Sequence, residues 1–167
     1  MAKGTYNAGY KREGHDTLVQ LERHMGMQPP SYQLVYIEAL INADEPKKAE
    51  ERLNELTNQL KTEDLLYDAA TLYCQLQKLD KAIEISKQIT PFKSNLDELD
   101  YRRYKPKIQA KIATLLLAQK RKTEAEDLIK QAEKLATHPD NPFSKTGYMD
   151  LVEYWISQNQ ISKARSY

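Results

Sequence analysis

Glycine is the scarcest informative residue in this chain: it occurs five times in 167 residues, at Gly4, Gly9, Gly14, Gly26 and Gly147, and nowhere in between. Residues 27–146 therefore lack the residue that lets a backbone close around a phosphate, and neither a dinucleotide fingerprint nor a P-loop is present. Tight β-hairpins also draw on glycine at positive φ, so the gap argues against an all-β fold. One cysteine, Cys74, excludes an internal disulfide and a cysteine-rich zinc site. Long apolar runs are missing as well. The longest is Ile112–Ala118, interrupted by one threonine and far short of the roughly 20 residues needed to span a bilayer. Charge of one sign is not in excess, with 25 basic and 24 acidic residues, so no global field draws nucleic acid or an anionic membrane. Residues 1–20 hold no signal-like apolar stretch, which favours a cytoplasmic chain. An opening of Met1-Ala2-Lys3-Gly4 is equally compatible with a replaced leader, and the compartment stays open.

Helical periodicity is abundant. Ala125, Leu128, Ile129, Ala132 and Leu135 form one stripe, and Ala49, Leu53, Leu56 and Leu60 another. No strand-like alternation is sustained, so the predicted class is all-α. Pro29-Pro30, Thr90-Pro91, Lys105-Pro106, His138-Pro139 and Asn141-Pro142 break the chain into helix pairs. First helices are expected near Tyr32–Ala43, Asp64–Leu76, Pro106–Gln119 and Ser144–Gln158. Second helices are expected near Pro46–Leu60, Asp80–Ile89, Thr123–Ala136 and from Ser162 onward. Only short polar turns separate the members of a pair, which makes them antiparallel neighbours.

Aligning the pairs exposes a frame. An alanine opens every second helix, at Ala49, Ala82, Ala125 and Ala164. Twelve residues earlier stand Ile37, Ala70, Ala113 and Val152, and nine earlier stand Leu40, Tyr73, Leu116 and Trp155. Small residues let helices approach, and large ones fill the space between turns. With Leu66, Ala70, Tyr73, Ala82 and Tyr148, Val152, Trp155, Ala164 as its best matches, the sequence resembles the tetratricopeptide repeat family. The alanine spacings of 33, 43 and 39 bracket that family's period near 34. The resemblance implies a right-handed superhelical stack of antiparallel hairpins forming one domain over 1–167. Its units would be 31–61, 63–92, 95–137 with an extended entry, and a truncated 143–167, after a worn partial unit at 5–29. The surplus length is assigned to linkers at Pro91–Tyr104 and Thr137–Phe143. Because the chain stops six residues into its last expected helix, a fragment of a longer protein is expected.

Chemistry-bearing residues are few. His15-Asp16 matches a dyad of all-α metal phosphohydrolases but lacks their further ligands, leaving a metal-dependent hydrolase as a distant alternative. Glu22 and His24 point to different sides of a helix, and His138 precedes a proline. Neither supports a metal site, and no catalytic residue or cofactor is expected. Cys74 is read as a structural thiol. Tyr101-Arg102-Arg103-Tyr104-Lys105-Pro106-Lys107, with Lys111, is a weak nucleic-acid candidate. Upstream acids Asp97, Glu98 and Asp100 and the neutral global charge favour a solvated inter-repeat linker instead.

The resemblance also predicts a concave wall built from the first helices. Its lining would be Leu34, Glu38, Ile41 and Asn42, then Tyr67, Asp68, Thr71 and Gln75. The third unit adds Lys107, Lys111 and Thr114, and the fourth adds Met149, Glu153 and Ile156. Lys107 and Lys111 correspond to half of a clamp for a peptide carboxylate, but Glu38 and Asp68 occupy the other half with the wrong charge. The expected function is therefore a non-enzymatic adaptor that binds a protein or peptide segment within a larger assembly. A peptide-sensing module of a transcription regulator and a periplasmic secretion scaffold are the alternatives.

Overall fold

The structure is a computed structural model that describes residues 20, 28–90, 95–139, 141 and 149–166, with backbone alone for 95–100. All regular structure among these residues is α-helical, so the all-α expectation holds. In chain order the helices are α1 (Pro30–Asn42), α2 (Pro46–Thr57), α3 (Glu63–Gln75), α4 (Leu79–Gln88), α5 (Asn95–Ala118), α6 (Lys122–Ala136), α7 (Met149–Ser157) and α8 (Ile161–Ala164). Among the described residues no helix is long and apolar enough to cross a membrane. The expected partial unit at 5–29 lies almost wholly outside the described residues.

The chain divides into two compact units, residues 1–61 with 75–77 and residues 62–74 with 78–167. In the first, α1 packs against α2. Proline opens both helices at a position whose N–H has no helical acceptor, so its missing donor costs nothing there. Leu34, Tyr36, Ile37 and Leu40 of α1 and Ala49, Leu53 and Leu56 of α2 are buried. In the second unit α5 is the central helix, packed against α4, α6 and α7, while α7 also packs against α6 and α8. The chain's one tryptophan, Trp155 on α7, donates from Nε1 to Glu133 on α6 at 3.0 Å. Lys163 of α8 pairs with that same carboxylate at 3.1 Å and lies 3.5 Å from the centre of the indole ring.

The repeated frame is written in the backbone. Asp44, Gln77, Lys120 and Asn159 all take left-handed φ, at 63°, 59°, 64° and 55°, and each stands five residues before a frame alanine. The next amide in every case reaches back five residues: Glu45 to Leu40 O, Lys78 to Tyr73 O, Arg121 to Leu116 O and Gln160 to Trp155 O, all within 2.9–3.0 Å. That is the Schellman closure of a helix C-terminus. The acceptor is always the large residue nine before the alanine. The alanine's own amide then donates to the residue four before it, at 3.0–3.2 Å, starting the second helix. Ala49, Ala82 and Ala125 are fully buried, and Ala164 is 6% exposed. Four unlike sequences thus make one turn.

Left-handed backbone costs a residue with a Cβ about 1–2 kcal/mol, and glycine escapes that cost. Aspartate and asparagine tolerate it better than lysine. Lys120→Gly should therefore stabilise the chain by about 0.5–1 kcal/mol after allowing for the greater freedom of an unfolded glycine. Urea unfolding measures it, and a loss of stability would contradict the turn geometry.

The largest departure from expectation is at Pro106. The sequence pattern opens a helix there after a linker, yet α5 begins at Asn95 and runs straight through it. Proline removes one helical hydrogen bond and normally ends a helix. Here the lining of the core overrides that cost: Pro106, Ile108, Ala110, Ile112, Ala113 and Leu116 are all buried. The segment Tyr101–Lys111 is accordingly helix, not solvated linker. Lys105 in particular is buried and donates from Nζ to the carbonyls of Ser86 and Ile89, where α4 ends. Asn141 caps α6 in a similar way, its side-chain amide donating to Leu135 O and Ala136 O at 3.1 and 3.3 Å.

Candidate functional site

Within the second unit, the first helices of three consecutive pairs converge on a pocket of about 220 Å³. Tyr67 comes from α3, Lys111, Thr114 and Leu115 from α5, and Asp150 and Glu153 from α7. Helical spacing explains the set. Lys111, Thr114 and Leu115 are separated by three and four residues, and Asp150 and Glu153 by three, so each group shares one face. Thr114 is anchored by its hydroxyl, which donates to Ala110 O one turn back at 3.1 Å.

The Tyr67 ring lies 5.1 Å from that of Tyr104, tilted by 37°, so α3 and α5 present an aromatic pair. Arg103 places its guanidinium 5.2 Å from the centre of the Tyr104 ring. Burial raises the Tyr67 phenol above its usual range, and the Asp150, Asp68 and Tyr104 groups push the same way. Thr71 acts in the opposite sense: its hydroxyl is close enough to favour the ionised phenol, though it makes no well-formed hydrogen bond. The Asp150 carboxyl is also raised, first by burial. Lys107 and Lys111 offset this in part, while Glu153 adds to it. Cys74 is buried nearby in charge terms, feeling Lys111, but burial dominates and holds its thiol up at about 11. A thiol held up in this way is mostly protonated at neutral pH, as a structural cysteine is.

The anticipated wall residues separate into three groups. Tyr67, Lys111, Thr114 and Glu153 meet in the pocket. Lys107 is half-buried and acts on Asp150 electrostatically, Thr71 is half-buried beside Tyr67, and Asp68 and Met149 are exposed. Gln75 is exposed at the end of α3. Like Gln75, three more belong to the first unit. Glu38 is half-buried, Asn42 is exposed and its side chain donates to Glu38 O at 2.7 Å, and Leu34 is buried at 4% exposure. Leu34 is thus corrected from a surface to a core residue, because α1 turns its neighbour Val35 outward, at 66% exposure.

Two pocket residues, Asp150 and Leu115, were not anticipated. Asp150 was detectable. It stands fourteen residues before Ala164, as Asp68 and Lys111 do before Ala82 and Ala125. Leu115 carries no such signal, since it falls inside the apolar run Ile112–Ala118 and reads as core. His15, Asp16, Glu22 and His24 lie outside the described residues. Among the described residues no group of three or more His, Cys, Asp or Glu is placed to hold a metal ion. No family model matches the chain, and neither a curated protein nor a solved structure matches it.

Proposed function

We propose that this chain is a tetratricopeptide-like helical-repeat adaptor whose first helices hold a peptide or helical segment of another protein. The observation that carries the reading is the four-fold turn frame together with a pocket built by α3, α5 and α7, the leading helices of successive pairs. In a superhelical stack those helices line the inner wall, where a segment of a partner buries its side chains between turns. Lys107 and Lys111 on one helix and Asp150 and Glu153 on the next give the wall opposite charges a short step apart. Such a pattern fixes the direction in which a segment lies and rejects its reverse.

A photo-crosslinking residue placed at exposed Met149, on the pocket side of α7, should capture a partner that the same residue at exposed Lys130 of α6 does not. Charge reversal by Lys107→Glu with Lys111→Glu should change the yield of that capture while circular dichroism stays helical. Equal labelling from both positions, or capture indifferent to the reversal, would remove the assignment of this face.

A further inference from the structure

Building on the adaptor reading, we infer that the pocket between α3, α5 and α7 seats a basic side chain, arginine or lysine, of the docked segment. Its size sets the class of occupant. At about 220 Å³ it falls below the roughly 300 Å³ at which pockets for whole small molecules begin, and it suits one long side chain. Its charge sets the sign. Two carboxylates, Asp150 and Glu153, line it against one ammonium, Lys111. Asp150 is only half-exposed, and among the described residues neither carboxylate has a basic nitrogen within ion-pairing distance. A half-buried carboxylate held short of its neighbouring lysines is stabilised by a cation that reaches it directly, through a charge-assisted hydrogen bond.

The remaining walls agree with that choice. Tyr67, paired with Tyr104, offers an aromatic face of the kind on which guanidinium and ammonium groups rest, and Arg103 already uses the Tyr104 ring in this way. Lys107 and Lys111 on α5 repel an incoming cation from their own side and leave the α7 side as its seat. Met149 and Ile156, 64% and 53% exposed, stand one turn to either side of Glu153 on α7. They supply apolar contact for the residues flanking the basic one. The occupant is therefore a short apolar–basic–apolar stretch of polypeptide, with the basic side chain inserted and its neighbours lying along α7.

Degenerate apolar pentapeptide libraries with a fixed central residue test this on the full chain by fluorescence anisotropy. The fixed residue is arginine, its neutral isostere citrulline, leucine or glutamate. The arginine library should bind at least about tenfold tighter than the citrulline library, and the preference should vanish in Asp150→Asn with Glu153→Gln. Circular dichroism checks that the double variant is folded, and a single variant of exposed Glu153 serves if it is not. Citrulline or leucine binding as well as arginine, glutamate binding better, or a preference that survives in the variant would each overturn the cation seat while leaving peptide binding intact. Binding by none of the libraries would take the adaptor reading down with it.

Discussion

Replacing Leu116 by alanine should lower stability by about 2–5 kcal/mol, against the about 5–15 kcal/mol that holds an ordinary domain together. The side chain is fully buried near the end of α5, and its carbonyl closes the turn into α6. Truncation removes apolar area already taken from water and leaves a cavity that the surrounding helices fill only in part. The spread reflects how far they collapse. At roughly 2–4 °C per kcal/mol for a chain of this size, the melting temperature should fall by about 5–20 °C. Leu117, half-buried one residue on, is the control, and its alanine variant should lose much less. If the two cost the same, the position nine before the alanine has no special place in the packing.

The second large effect concerns Lys105. Its ammonium is buried against the carbonyls that end α4, a place where the helix's own polarity favours a cation. Burial nevertheless wins and brings its pKa down from the ordinary 10.5 to about 8, with Lys87 adding repulsion. The folded chain therefore sheds this proton first. Between about pH 8 and 10.5 the unfolded chain binds more protons, so this group's contribution to stability rises with pH, and below pH 8 its desolvation cost is present in full. Cys74 works against it from about pH 9, since its buried thiol keeps a proton that the unfolded thiol releases. The gain should accordingly be read between pH 7 and 9, as an upward drift of the urea midpoint that Lys105→Met flattens. Lys105→Glu should cost about 3–5 kcal/mol, because it sets an unpaired carboxylate against two carbonyl oxygens. A wild-type midpoint that falls from pH 7 to 9 would contradict this account.

Much of the architecture was legible because it is periodic. Ala49, Ala82, Ala125 and Ala164 could be aligned by eye, and the ends of α1–α4 and α6 fall within about three residues of where spacing placed them. What resisted reading was decided by tertiary packing. Pro106 is a local breaker, and only the buried face of α5 and the anchoring of Lys105 explain a helix that continues through it. Leu34 and Val35 are both apolar, so which of them turns inward depends on a helix phase one residue finer than the pattern resolves. In the pocket, Tyr67, Lys111, Thr114 and Glu153 were within reach of the frame. Asp150 was missed although its offset from Ala164 equals that of Lys111 from Ala125, and Leu115 because nothing local separates a pocket leucine from a core one.

The grip on Trp155 has a practical consequence. The other aromatic side chains are tyrosines and two phenylalanines, so long-wavelength ultraviolet light excites a single indole in the whole chain. Wedged between Glu133 and Lys163, that indole glows differently when α8 peels away from α6 and α7. The indole thus stands as a lamp in the α7–α8 pair, and the first unit holds none. Opening of the last pair can therefore be timed optically without a label, while the melting of earlier pairs stays dark in the same channel.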